Sequence, residues 1–125
     1  MFGFDDAQSD YRKVKQSDNQ AELSHELLAG GASFVAFHEF ENHQRKEGKE
    51  VDHAFAKEVL AGFAGAEVDR LAETKGADYI DREKAKREAK RRSEQLYDQH
   101  YGDQENYSPR KKHPPKHLRE DFGGY

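Results

Sequence analysis

The chain has 125 residues, of which 37% are charged and 34% hydrophobic, with a net charge of −4 and no cysteine. An apolar share below the ~45–50% of ordinary globular domains allows one domain with a small core, and the absence of cysteine excludes a disulfide framework, a zinc knuckle and a thiol nucleophile. The N-terminal stretch MFGFDDAQSDYRK has no signal-peptide core and nothing approaches the ~18 apolar residues of a membrane span, so the expectation is a soluble cytoplasmic protein without membrane contact.

Residues 1–18 read as a polar, irregular arm in which only Phe2 and Phe4 have reason to dock. A first helix is expected to start near Ser17 to Asn19, where Ser17 with Gln20 or Asn19 with Glu22 has the form of a capping box. It runs to about Lys46. Its central stretch Leu27 to Phe37, LLAGGASFVAF, carries no charge. On a helix this stretch is apolar almost all round, as in a helix covered from several sides. Gly30 and Gly31 at its middle each cost about 1 kcal/mol against Ala in an exposed helix, which a close helix contact would explain.

Gly48 ends this helix and Asp52 caps the next. The second helix covers about His53 to Lys75, with Phe55, Val59, Leu60, Phe63 and Ala66 on its apolar side. The third spans about Asp78 to Tyr101 and stops at Gly102. Its apolar seam, Ile80, Ala85, Ala89 and Leu96, is thin, and pairs such as Glu83 with Arg87 and Glu88 with Arg92 lie at helical spacing. Its second half, with Tyr97 and Tyr101, is expected to pack and its first half to be a solvated rod. Residues 103–125 hold all three prolines and a basic run without apolar periodicity, which predicts a disordered tail.

An internal echo links the first two helices. HELLAGGASFVAF from His25 aligns with KEVLAGFAGAEV from Lys57, giving two copies of E-x-L-A-G-x-A. The echo suggests that the helices pack through matching small-residue patches around Gly30 and Gly62, at the short end of the ~8–10 Å interaxial range.

MFGFDD, SHELLAGGASF, DHAFAKEVLAGFAGAEVDRLAETKGADYIDREKAK and LYDQHYG closely resemble the fungal CipC-like antibiotic-response proteins, over residues 1–6 and 23–102. The resemblance implies a small cytoplasmic protein induced by drug and other stress, and it implies little about mechanism.

For chemistry, HEFENH at residues 38–43 fails the HExxH pattern, because His38 and His43 are five apart and do not share a helix face. The echo supplies a better constellation. If the small-residue patches meet, Glu26 and Glu58 face each other near His53, an arrangement suited to Mg²⁺ or Mn²⁺ or to acid–base work. Glu22 and His25 extend that ligand set, so the metal candidates are Glu22, His25, Glu26, His53 and Glu58, with Glu26, His53 and Glu58 the catalytic candidates. The competing reading is ordinary solvated or ion-paired glutamates. REKAKREAKRR at 82–92 and the basic tail nominate Arg82, Lys86, Lys90, Arg91, Lys111 and Lys112 for phosphate contacts, against the competing reading of a solvated charged face.

The sequence therefore predicts an all-α protein: an antiparallel helix hairpin with a long charged third helix in residues 19–102, oligomeric because so short a chain cannot cover its apolar stripe alone. The expected function is that of a stress-response protein acting by helix-mediated association with itself or a partner. The alternatives are a divalent-metal-dependent phosphodiesterase or nuclease, and a basic nucleic-acid-binding protein.

Overall fold

The computed structural model describes residues 2–17, 23–75 and 81–123. These residues form five helices: α1 (Phe4–Gln16), α2 (His25–Glu47), α3 (His53–Thr74), α4 (Arg82–Tyr101) and α5 (Lys116–Phe122). Among the described residues there is no strand, and one isolated antiparallel bridge joins Val51 to Tyr107.

Helix α2 is the centre, touching each of the other four helices. Leu28 through Phe37 are all buried, the outcome expected for a helix apolar all round. Ser24 caps its start by accepting from the Leu27 N–H, and Gly48 in the left-handed region (φ 70°) ends it. Ser17, expected to open this helix with Gln20, is instead the C-cap of α1, and the alternative cap, Asn19 with Glu22, lies outside the described residues. Asp52 and Asp81 cap α3 and α4 in the same way.

Helices α1 to α4 alternate in direction. Phe4 packs edge-on to Phe37 with ring centroids 5.2 Å apart, and Val14 lies at Gly31, so α1 runs against α2. Lys57 pairs with Asp98 and Lys86 with Asp69, so α4 runs against α3. The first half of α4 is not a free rod: Ala85, Ala89 and Ser93 are buried along with Leu96, Tyr97 and Tyr101.

Three expectations are corrected here. The N-terminal arm is helical, not irregular. Asp6 accepts the Gly3 N–H at 2.9 Å at its start, and Phe4, Ala7 and Val14 lie at helical spacing and are buried. The polar composition hid a helix whose narrow apolar face needs only those positions.

The small-residue patch of α2 receives α1, not α3. A methyl group at Gly30 would stand 2.8 Å from Asp10 Cγ and 2.9 Å from its Cβ, and one at Gly31 would stand 3.2 Å from Val14 Cγ2. Nothing lies within 4 Å of the same position at Gly62. Gly30 lies eighteen residues before Gly48, where α2 ends, and Gly62 only ten after Asp52, where α3 starts, so the two patches sit at different levels of the antiparallel hairpin and do not meet. With α1, α3 and α4 around it, α2 is covered within one chain, and the argument for oligomers from its uncovered stripe lapses.

The segment after Gly102, expected to be disordered, lies against the bundle. Tyr107, Pro114, Pro115 and Leu118 are buried, and the Val51 and Tyr107 main chains exchange N–H···O bonds of 3.1 and 2.9 Å. Its described apolar residues are buried or packed against the core, and side chains of the bundle bond the carbonyls of Gln104, Pro109, Lys112 and His113, which offsets the ordering entropy that composition alone leaves unmatched.

Candidate functional site

Among the described residues one carboxylate in the bundle core has no solvent access. Glu41 continues the α2 stripe from Phe34 and Phe37 into the polar half of the helix and is 0% exposed. Taking an isolated carboxylate from water costs several kcal/mol even after relaxation, so its partners decide whether the fold tolerates it. Tyr101 donates its hydroxyl to Oε2, Tyr107 donates to Oε1 at 2.6 Å and Arg45, one turn on, donates through Nε at 3.1 Å. Burial pushes the Glu41 pKa up, while the Arg45 charge and the two hydroxyls pull it down, leaving it above the ordinary carboxylate range. Burial, then the Glu41 charge, pushes the Tyr101 and Tyr107 hydroxyls up, so both stay protonated donors.

Arg45 carries the network outward. Its Nη2 donates to the Tyr101 hydroxyl at 3.1 Å and to the Lys112 carbonyl at 2.8 Å, and its Nη1 donates to the Pro109 carbonyl at 2.9 Å. The guanidinium lies 5.9 Å from the Tyr107 ring centroid, within cation–π range. Phe37, Phe40, Tyr97, Tyr101 and Tyr107 surround the carboxylate as edge-on and stacked rings with centroids 5.0–6.4 Å apart.

His53 joins the same end. It makes 2.7 Å bonds to the Tyr97 hydroxyl through Nδ1 and to the Gln104 carbonyl through Nε2. A carbonyl only accepts, so Nε2 is the donor to Gln104. The imidazole is therefore committed to two structural bonds.

The carboxylate constellation read from the echo does not assemble. His25 Nε2 accepts the Asp81 N–H at 3.1 Å, whereas His53 is bonded to Tyr97. Those contacts are sixteen residues apart on α4, roughly 24 Å along its axis. Glu26 lies exposed beside His25, Glu58 lies exposed near His53, and Glu22 lies outside the described residues. Among the described residues no three His, Asp or Glu side chains come together as metal ligands.

The basic candidates are largely matched by acids. Lys86 pairs with Asp69 at 2.8 Å, Arg82 with Glu73 at 3.2 Å and Arg91 with Glu88. Lys111 reaches Glu50 at 3.7 Å and Lys112 reaches Asp103 at 3.6 Å. Lys90 lies over Gly65 of α3, its Cε 3.3 Å from where a side chain would begin there.

Sequence reasoning missed Glu41, Arg45, Tyr101 and Tyr107 as a group. One signal was present: a glutamate in register with Phe34 and Phe37, followed one turn later by an arginine. The tyrosines that complete the group are sixty and sixty-six residues away, and no local spacing connects them to it.

Fold and site define a small helical bundle locked by a buried Glu–Arg–Tyr network. A family model described as Virulence factor CipC-like matches residues 10–100, and the chain belongs to that family. No curated protein and no solved structure matches it. No helix among the described residues is long and apolar enough to cross a membrane.

Proposed function

We propose that this CipC-like protein serves the stress and antibiotic response implied by the resemblance without catalysis, by pairing with a second copy through the outward face of α3. The observation that carries this reading is Phe55, which is 49% exposed and the one exposed large hydrophobic residue among those described. It belongs to a stripe. Val59 and Phe63 are partly exposed and Gly62 and Ala66 exposed, on the side of α3 away from Leu60, Ala64 and Val68.

The order of residue sizes favours a second copy as the occupant. Phe55 and Ala66, like Val59 and Gly62, are symmetric about the midpoint between Leu60 and Ala61. An antiparallel two-fold pair centred there sets each large residue on a small one, Phe55 on Ala66 of the partner subunit and Val59 on Gly62 of the partner subunit. Such an interface is isologous, and the open space at Gly62 permits close approach of the helices. One helix face buries a modest area, so pairing is weak. Weak pairing follows mass action, and a protein induced by stress then assembles because it becomes abundant. The metal-dependent hydrolase and nucleic-acid readings have no comparable observation behind them.

The absence of cysteine from the sequence makes the test clean. Oxidation of an equimolar mixture of Val59→Cys and Gly62→Cys chains should yield the mixed disulfide dimer in preference to either self-dimer. Sedimentation should show a concentration-dependent dimer that Phe55→Glu abolishes. A chain that stays monomeric throughout the micromolar range would remove this reading.

A further inference from the structure

The segment from Gln104 to His113 is held as a bound peptide is held. Most of the bundle's polar contacts to it go to main chain. Val51 exchanges two backbone bonds with Tyr107. Arg45 donates to the carbonyls of Pro109 and Lys112, His53 to that of Gln104, and His100 Nε2 to that of His113 at 2.7 Å. The segment answers with the Lys112 ammonium, which donates to the His100 carbonyl.

Side-chain recognition concentrates on one residue. Tyr107 is fully buried, lies edge-on to Phe40 and Tyr101, and gives its hydroxyl to Glu41 at 2.6 Å. Backbone pairing plus one aromatic anchor in a pocket is the pattern by which extended peptides are recognised. The cradle residues Phe40, Glu41, Arg45, Val51, His53 and His100 fall within the residues matched by the family model, and the segment that fills the cradle does not.

We propose that the cradle around Glu41 is a recognition site for an extended peptide segment of a partner protein, bearing a tyrosine with proline two residues later, and that residues 104–113 are its resident competitor. The buried carboxylate reads the tyrosine hydroxyl, and the Arg45 fork reads the carbonyls that follow. A phenylalanine in the same place leaves a Glu41 acceptor without its hydroxyl donor, so the site discriminates between the two rings. An acidic segment is disfavoured, because Glu50 and Asp103 flank the path of the bound chain and pair with its lysines. The site is separate from the outward face of α3.

The test uses the full chain and a fluorescein-labelled decapeptide, QENYSPRKKH, read by anisotropy. The unaltered chain, whose own segment occupies the cradle, should bind the peptide weakly. A Tyr107→Ala chain should bind it at least about tenfold more tightly, since its resident segment has lost the anchor. Replacing the peptide tyrosine by phenylalanine should weaken binding to Tyr107→Ala by roughly ten- to a hundredfold, the loss of a hydrogen bond to a charged acceptor. Phe55→Glu should leave all of this unchanged, so failure of α3 pairing and failure of the peptide site are told apart. If Tyr107→Ala lacks the far-ultraviolet signal of the folded chain, Tyr107→Leu takes its place, filling most of the pocket while leaving Glu41 without the hydroxyl. Equal affinity of the variant and unaltered chains, or indifference to the tyrosine hydroxyl, would overturn the proposal.

Discussion

The network at Glu41 makes a prediction about coupling that differs in kind from a sum of contacts. Glu41→Ala removes the only carboxylate facing the Tyr101 and Tyr107 hydroxyls and the Arg45 Nε. The loss expected on breaking one partner out of a buried ion pair is about 3–5 kcal/mol. At about 3–5 °C per kcal/mol for a chain of this size, the midpoint of thermal unfolding should fall by roughly 10–20 °C. Tyr107→Phe deletes one hydrogen bond to a charged acceptor and should cost about 1.5–3 kcal/mol. In the Glu41→Ala background the same tyrosine hydroxyl has lost its acceptor, so removing it should cost almost nothing. The coupling energy is then about 1.5–3 kcal/mol, well outside the ~0.5 kcal/mol scatter of independent sites. Urea unfolding followed by circular dichroism, with a constant slope across the four proteins, measures it. Additive losses, or a Glu41→Ala change below about 1 kcal/mol, would show that Glu41 is solvated and that the network does not lock the fold.

Two further predictions concern positions where sequence and structure part company. Gly62→Ala should stabilise the chain by about 0.5–1 kcal/mol, because the helix gains propensity and no atom stands in the way, whereas Gly30→Ala should destabilise by about 1–2 kcal/mol as the new methyl presses on Asp10 Cβ and Cγ. Denaturant midpoints of the two variants shifting in the same direction would contradict the packing of α1 on α2. Burial holds the pKa of His38 and of His100 below the ordinary imidazole value, and for His100 the hydrogen bond to the His113 carbonyl opposes the shift, the Lys112 and Arg45 charges add to it and Asp103 opposes it. A histidine whose folded pKa is depressed contributes stability that is complete above its unfolded value near 6.5 and is lost as pH falls below it. Glu41, with its raised pKa, acts in the opposite sense at the acidic end. The thermal midpoint should therefore fall between pH 7.5 and 5.5, and His38→Phe, which keeps a ring stacked on Phe122, should flatten that fall. A His38→Phe profile parallel to that of the unaltered chain would exclude its share.

What the sequence made legible was local. The two longest apolar helices, the Gly48 and Asp52 caps and the Gly102 stop follow from spacing and capping chemistry, which act within a few residues. The family was legible in the same stretches. Helix α1 was not, because three buried positions in a charged segment give too weak a period against a polar background. The direction of the hairpin was implied by its short link, yet the echo of E-x-L-A-G-x-A suggested a contact between the Gly30 and Gly62 patches, whereas Gly30 meets Asp10 of α1 and Gly62 lies open. The Glu41 site was legible only as an anomaly, a carboxylate in line with Phe34 and Phe37. Its meaning depends on Tyr101 and Tyr107, brought in by α4 and by a segment whose prolines and lysines argued for disorder.

The distance along the chain between Glu41 and its hydroxyl partners also has a meaning in time. At a synthesis rate of about 5–20 residues per second, the sixty and sixty-six residues that separate Glu41 from Tyr101 and Tyr107 take roughly 3–13 s to make. Helix α3 ends at Thr74, so for the last twenty-seven and thirty-three of those residues the hairpin of α2 and α3 is complete as sequence while Glu41 has only Arg45 of its network. Burying an isolated carboxylate costs several kcal/mol, so the Phe37 and Phe40 end of α2 is expected to close last, once Tyr101 and Tyr107 have been made.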